Sequence, residues 1–103
     1  MLKNIFRLDG KVIVITGAAG LLGRKHAEAI ACYGGTPILL DLSEQTVNKL
    51  ADELNNKYNI DSVGFSIDIT DEDAIKSNVN QIVESFGKID GLINNAANNP
   101  KVE

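Results

Sequence analysis

Gly17, Gly20 and Gly23 recur every third residue directly after the apolar run Val12-Ile13-Val14-Ile15 and Thr16. Glycine carries no functional group, so the chemistry this spacing permits is binding by the backbone. Gly17 lets the chain turn sharply after a strand, Gly20 lets the main chain approach a bulky anion, and Gly23 lets the next helix lie close against the sheet. A pyrophosphate placed there meets the positive end of that helix, whose first N–H groups have no intrahelical acceptor. The pattern predicts a dinucleotide-binding turn. Asp41 closes a second apolar run, Pro37-Ile38-Leu39-Leu40, 18 positions after Gly23. A carboxylate at that remove can accept hydrogen bonds from the adenosine ribose and repels a 2'-phosphate. The alternative for Asp41 is a plain strand-end or turn aspartate.

The other reactive side chains do not assemble into a catalytic or metal-binding set. His26, beside Arg24 and Lys25, has no Cys, His or acidic residue at ligand spacing. Cys32 is the only cysteine, which excludes an internal disulfide and a cysteine-based metal cluster and leaves it as a small packed residue. Asp71-Glu72-Asp73 suits the first turn of a helix, and Glu53 and Glu84 fall on polar helix faces.

An alternating array of strands and helices must hold the glycine turn and Asp41. The first strand, Val12 to Ile15, is apolar without interruption, as a parallel strand buried on both faces should be. A helix over 21–33 follows and stops at Gly34-Gly35. The second strand is 37–40. Ser43 can cap a second helix with an apolar stripe of Val47, Leu50, Ala51, Leu54 and Tyr58. A third strand spans 62–67, and Thr70-Asp71-Glu72-Asp73 resembles a capping box opening a third helix with Ile75, Val79, Ile82, Val83 and Phe86 inward and Gly87 as its stop. The fourth strand is 91–93. Parallel pairing with right-handed crossovers gives the order 3-2-1-4, with the first two helices on one face and the third on the other. Ligands bind where such winding reverses, between strands one and four. The fourth strand is expected to present an open edge, with apolar side chains of strands one and four on the face of the third helix left to solvent.

Composition narrows the partners. With 103 residues, 44% hydrophobic and 23% charged, the chain is expected to form one globular domain. A net charge of -4 argues against nucleic acid or an anionic membrane as the main partner. The apolar part of Met1 to Arg7 is too short for a signal peptide and no window reaches membrane-spanning length, so a cytoplasmic location is expected.

Taken in order, these residues resemble the short-chain dehydrogenase/reductases. The lead-in Leu8-Asp9-Gly10-Lys11-Val12, the turn Thr16 to Gly23, Asp41, Asp68-Ile69 and Asn94-Asn95-Ala96-Ala97 follow the family's sequence of motifs, so the resemblance covers essentially the whole chain. The turn T-G-x-x-G-x-x-G looks like the family's extended branch, since the compact branch carries T-G-x-x-x-G-x-G and would place glycine at Leu21. Asn94-Asn95-Ala96-Ala97 looks like the compact branch's N-N-A-G with alanine last. We read a compact-type member with an altered turn.

The resemblance implies an α/β fold, a Rossmann-type parallel sheet, of which residues 1–103 form a single amino-terminal dinucleotide-binding portion. It places Gly17, Ala19, Gly20, Leu21, Leu22 and Gly23 around the pyrophosphate, with the Leu22 backbone N–H as a donor. Asp41 and Leu42 fall at the adenosine ribose. Asp68 falls beside the adenine amino group, with Ile69 as its apolar neighbour; the alternative is that Asp68 only stabilises the turn before the third helix. Asn94, Ala96 and Ala97 fall near the nicotinamide-side ribose, while Asn95 joins them or bridges strands through its amide. Ala19 is not the basic residue that often marks NADP binders of the family, so NAD is expected over NADP. The implied activity is hydride transfer between nicotinamide and a small-molecule carbonyl or alcohol, in a homo-oligomer. The family's proton-transfer groups, a serine and a Tyr-x-x-x-Lys pair, have no match: Pro37 and Ser62 stand four residues after Tyr33 and Tyr58. This chain alone is thus expected to be inactive. The alternatives are a nucleotide-sensing module and an S-adenosylmethionine-dependent methyltransferase, which would use a similar glycine turn.

Overall fold

The computed structural model describes residues 6–95; the expected cofactor residues Ala96 and Ala97 lie outside them. Seven elements alternate: β1 (Val12–Thr16), α1 (Leu21–Cys32), β2 (Thr36–Asp41), α2 (Glu44–Tyr58), β3 (Val63–Ser66), α3 (Glu72–Phe86) and β4 (Gly91–Asn94). The four strands are parallel in the order β3-β2-β1-β4, as the crossover rule requires. β1 is central, with Ile15 opposite Leu39 of β2 and Ile93 of β4.

The pleat divides the core into two layers. Ile15 and Leu39 point to one face and pack with Ala27, Ile30 and Ala31 of α1 and Val47, Leu50, Ala51 and Leu54 of α2. Val12, Val14, Ile38 and Leu40 point to the other and pack with Ile82 of α3. Residues i and i+2 share a face in a strand, so uninterrupted apolar strands serve both layers. β4 is tied to β1 at its start by Asp90, whose N–H donates to the Val12 carbonyl at 2.8 Å while its Oδ2 accepts the Val12 N–H at 2.8 Å. That backbone N–H, with Lys88 beside it, holds the Asp90 carboxyl below its ordinary pKa.

α3 departs from the sequence expectation twice. Its N-cap is Asp71, which accepts the Ala74 N–H at 3.1 Å; Thr70 turns to Asp68 instead. The capping group therefore sits one residue later than the Thr70 box. Of the five expected inward residues only Ile82 is buried, whereas Val79 and Val83 are 40% and 43% exposed. The stripe is there, but α3 stands over β1 and β2, so its flank toward β4 meets no second helix among the described residues. On that flank lies a groove of about 450 Å³ with Leu92, 64% exposed, on its β4 side and Asn78, 3% exposed, on α3. The Asn78 Nδ2 has no hydrogen-bond partner among the described residues. Of the apolar side chains of β1 and β4 expected to face solvent, Leu92 does so, while Val14 is covered and Ile93 packs toward α1 and α2.

Candidate dinucleotide cleft

The turn after β1 has the stereochemistry that its glycines imply. Gly17 adopts φ +66°, a region open to glycine at little cost. A side chain at Gly23 would collide with the Gly17 carbonyl oxygen and lie 2.8 Å from the Ala18 Cα, so α1 can seat this close only without one. At Gly20 a Cβ would meet only that same oxygen, at an ordinary 3.4 Å. Nothing among the described residues forbids a side chain there, and Gly20 lies in the wall of the cleft.

Gly20 is also the N-cap of α1, and no side chain caps that helix nor is any residue of its first turn acidic. The other two helices differ. Ser43 accepts the Thr46 N–H to cap α2, and Asp71 caps α3. The α1 end thus keeps its uncompensated positive pole beside an open cleft, an arrangement that favours an anion.

A cleft of about 360 Å³ lies at the carboxyl ends of the strands, where the sheet order reverses, and Gly17, Gly20, Asp41, Leu42, Asp68, Ile69 and Asn95 line it. These seven were all expected from the sequence. Asp41 is half-buried at the end of β2; its Oδ2 accepts the Ala19 N–H at 2.9 Å and its Oδ1 the Leu42 N–H at 2.6 Å. The strand-end role foreseen as an alternative is therefore present, and it adds a clamp on the glycine turn. Asp68 accepts both the N–H and the hydroxyl of Thr70, at 2.9 and 2.6 Å. These bonds, the hydroxyl's foremost, hold its carboxyl below the ordinary value, so it faces the cleft as an anion that also braces the turn into α3.

The other expected residues among those described stand around the cleft rather than in its wall. Ala19 and Gly23 act behind it through the contacts above. Leu21 and Leu22 begin α1 with exposed side chains, as suits residues whose contribution would be a backbone N–H. Asn94 accepts the Thr16 hydroxyl at 2.8 Å and borders the groove beside α3. The bridge between strands offered as the alternative for Asn95 is thus made by Asn94. Asn95 instead places its Nδ2 2.9 Å from Nδ1 of His26 on α1. Sequence reasoning missed two neighbours: Thr70, whose spacing two residues after Asp68 is an Asx-turn signal, and His26, for which no local signal existed. Tyr58 donates its hydroxyl to Glu28 at 2.7 Å, a bond that raises the phenol's pKa. Among the described residues no group of His, Cys, Asp and Glu could hold a metal, and no helix is long and apolar enough to cross a membrane.

Residues 11–103 match the family model for short chain dehydrogenase, and the chain belongs to the short-chain dehydrogenase/reductase family. It is 37% identical over 91 residues to a 3-oxoacyl-[acyl-carrier-protein] reductase of Thermotoga maritima, covering 87% of this chain and 36% of that protein. The structure of L-sorbose reductase from Gluconobacter frateurii, complexed with NADPH and L-sorbose, superposes with a TM-score of 0.82 at 29% identity over 87% of this chain and 34% of that one. NAD+-bound xylitol dehydrogenase gives 0.77 at 33% identity, over 82% and 32%. The chain thus spans about a third of the length of these relatives. Membership in this family sets aside the methyltransferase alternative.

Proposed function

We propose that this short-chain dehydrogenase/reductase chain holds the nicotinamide dinucleotide of an oxidoreductase acting on a small-molecule carbonyl or alcohol, with NAD preferred to NADP. The observation that carries the reading is the uncapped α1 N-terminus at a glycine whose missing side chain opens onto a cleft containing Asp41 and Asp68. Solved relatives carry NAD+ in one case and NADPH in another, so the choice between them rests on this chain's own residues. Asp41 offers a carboxylate where a 2'-phosphate would bring like charge, and Ala19 offers no cation to offset it.

The residues fit such a cofactor. The α1 N–H groups and Gly20 would receive the pyrophosphate, Asp41 the adenosine ribose, and Asp68 with Leu42 and Ile69 the adenine. Asn94 and Asn95, with Ala96 and Ala97, would border the nicotinamide-side ribose. When bound, the nicotinamide supplies or accepts the hydride. The chain's own part is to bind and orient: dipole and backbone donors for the anion, carboxylates for hydroxyl and amino groups, and aliphatic side chains that keep water off the adenine. Proton transfer at the substrate falls to groups outside this set, since the Tyr58 hydroxyl is held by Glu28 on the outer surface of α1 and α2. A cytoplasmic location and a homo-oligomer belong to the same proposal; the exposed Leu92, Val79 and Val83 support the second. Calorimetric titration with NADH, NADPH and S-adenosylmethionine tests the reading. NADH should bind tightest, and a chain that prefers NADPH or binds no dinucleotide would overturn it.

A further inference from the structure

One polar contact leads out of the cleft to the body of α1. Asn95 stands one residue beyond β4, and its backbone N–H extends the pairing with β1 by donating to the Thr16 carbonyl at 3.2 Å. Its carboxamide Nδ2 lies 2.9 Å from the Nδ1 of His26, 69 residues away in sequence. His26 is half-buried on the second turn of the helix whose N-terminus faces the cleft. Buried Gly23, Ala27 and Ile30 already supply the stripe that packs α1 on the sheet, so packing at position 26 asks for no more than an aliphatic side chain. What an imidazole adds is a ring nitrogen able to accept a hydrogen bond.

We propose that His26 is a positioning residue of the dinucleotide cleft: with its proton on Nε2, its Nδ1 accepts from the Asn95 Nδ2 and fixes which way the Asn95 carboxamide faces the bound dinucleotide. The inference rests on the nicotinamide-dinucleotide reading given above. A carboxamide has two donor protons and an oxygen with two lone pairs, and its terminal torsion is broad and nearly two-fold. An untethered Asn95 would present its oxygen and its nitrogen to the cleft in comparable measure, and a ligand would have to order it. The bond to His26 uses one donor proton and selects one orientation, leaving the rest of the amide directed by α1. The same bond couples the helix that receives the pyrophosphate to the strand end that borders the nicotinamide side. Loss of His26 should therefore act on dinucleotide affinity through Asn95 and by no other route.

The test combines nitrogen NMR with NADH titration of the whole chain. In the unsubstituted protein the His26 Nδ1 should carry no proton, and one Asn95 Nδ2 proton should be shifted by its bond. His26→Phe should abolish that shift and weaken NADH binding about 3- to 10-fold, the size of one hydrogen bond. His26→Gln, which can offer a side-chain oxygen as acceptor, should restore part of both. In an Asn95→Ala background His26→Phe should have no further effect, as a double-mutant cycle requires for residues acting through one contact. A protein that binds no dinucleotide overturns the cofactor reading and this inference with it. A protein that binds NADH while His26→Phe binds it equally well overturns the inference alone. Where His26→Phe does not fold, the unsubstituted protein decides, since a proton found on Nδ1 also overturns the assignment.

Discussion

Replacing Asp41 by alanine separates two tasks of one carboxylate, the backbone bonds seen in the structure and the ribose contact proposed above. Oδ2 takes the Ala19 N–H at 2.9 Å and Oδ1 the Leu42 N–H at 2.6 Å, which uses two of about four lone-pair sites on an ionised carboxylate. Two sites remain, enough for the two hydroxyls of a ribose. Hydrogen bonds to a charged acceptor contribute about 1.5 to 3 kcal/mol when well shielded, but Asp41 is only half-buried and Leu42 is exposed. Loss of the protein's own two bonds should therefore cost about 1 to 2 kcal/mol of stability in all. Loss of the ribose bonds should weaken NADH binding by about 1 to 3 kcal/mol, roughly 5- to 150-fold, and narrow the gap to NADPH because the like charge is gone. Calorimetry with both dinucleotides, on the unsubstituted chain, Asp41→Ala and Asp41→Asn, reads the binding part, and denaturant unfolding reads the stability part. Asp41→Asn keeps one carbonyl acceptor, so it should retain more stability than alanine while losing much of the discrimination. A folded Asp41→Ala chain with unchanged affinity for both dinucleotides would refute the ribose assignment and leave Asp41 as a clamp on the glycine turn.

Gly23→Ala should destabilise the chain by about 3 kcal/mol, because the new methyl meets the backbone of Gly17 and Ala18 rather than a side chain that can move; an unfolding midpoint within error of the parent would show that α1 shifts freely. Asn78→Leu should raise stability by about 1 to 2 kcal/mol, since it removes a buried donor that has no partner among the described residues and lies in a largely apolar groove; a loss in the same denaturation assay would mean that Nδ2 is satisfied in solution. Asp90 has a folded pKa below its unfolded value of about 4, owing first to the Val12 N–H. Its contribution is thus complete above about pH 4 and lost as the pH falls through the depressed folded value. Asp90→Asn should flatten the pH dependence of stability in that acid range, and an unaltered slope would assign it to other carboxylates.

Legibility from sequence followed the reach of each interaction. Helix and strand identity, the parallel order and the cleft wall depend on local periodicity and on glycine stereochemistry, and Gly17, Gly20, Gly23 and Asp41 carry those signals within a few residues of one another along the chain or at a fixed topological point. Errors appeared where a choice between neighbours depends on geometry. Thr70 and Asp71 are both good caps, and Thr70 was drawn away by Asp68 at 2.6 Å. The periodicity of α3 named its apolar face correctly but could not tell that the helix stands over β1 and β2, leaving Val79 and Val83 beside an uncovered groove. The His26 to Asn95 contact spans 69 positions and has no signature of period or spacing at all.

Polar groups at the carboxyl ends of the strands share a property that bears on the proposed site. Asp41 holds Ala19, Asp68 holds Thr70, Asn94 holds the Thr16 hydroxyl and Asn95 holds His26. Each of these side chains is anchored by a protein partner and still has hydrogen-bonding capacity to spare. Anchoring removes rotamer freedom before any ligand arrives, so less ordering entropy opposes binding. It also means that the fold and the cleft are specified by the same residues. The glycine turn is held from β2 by Asp41, the entry to α3 is braced by Asp68, and β4 is fastened to β1 and α1 by the two asparagines. A substitution in this ring should change both the proposed ligand contacts and the relative placement of the elements, whereas one among the apolar side chains buried between α1, α2 and the sheet should change only stability. Affinity and stability should therefore fall together for variants of the ring, and separate for variants of Val47, Leu50 or Leu54, whose side chains pack in the layer away from the cleft.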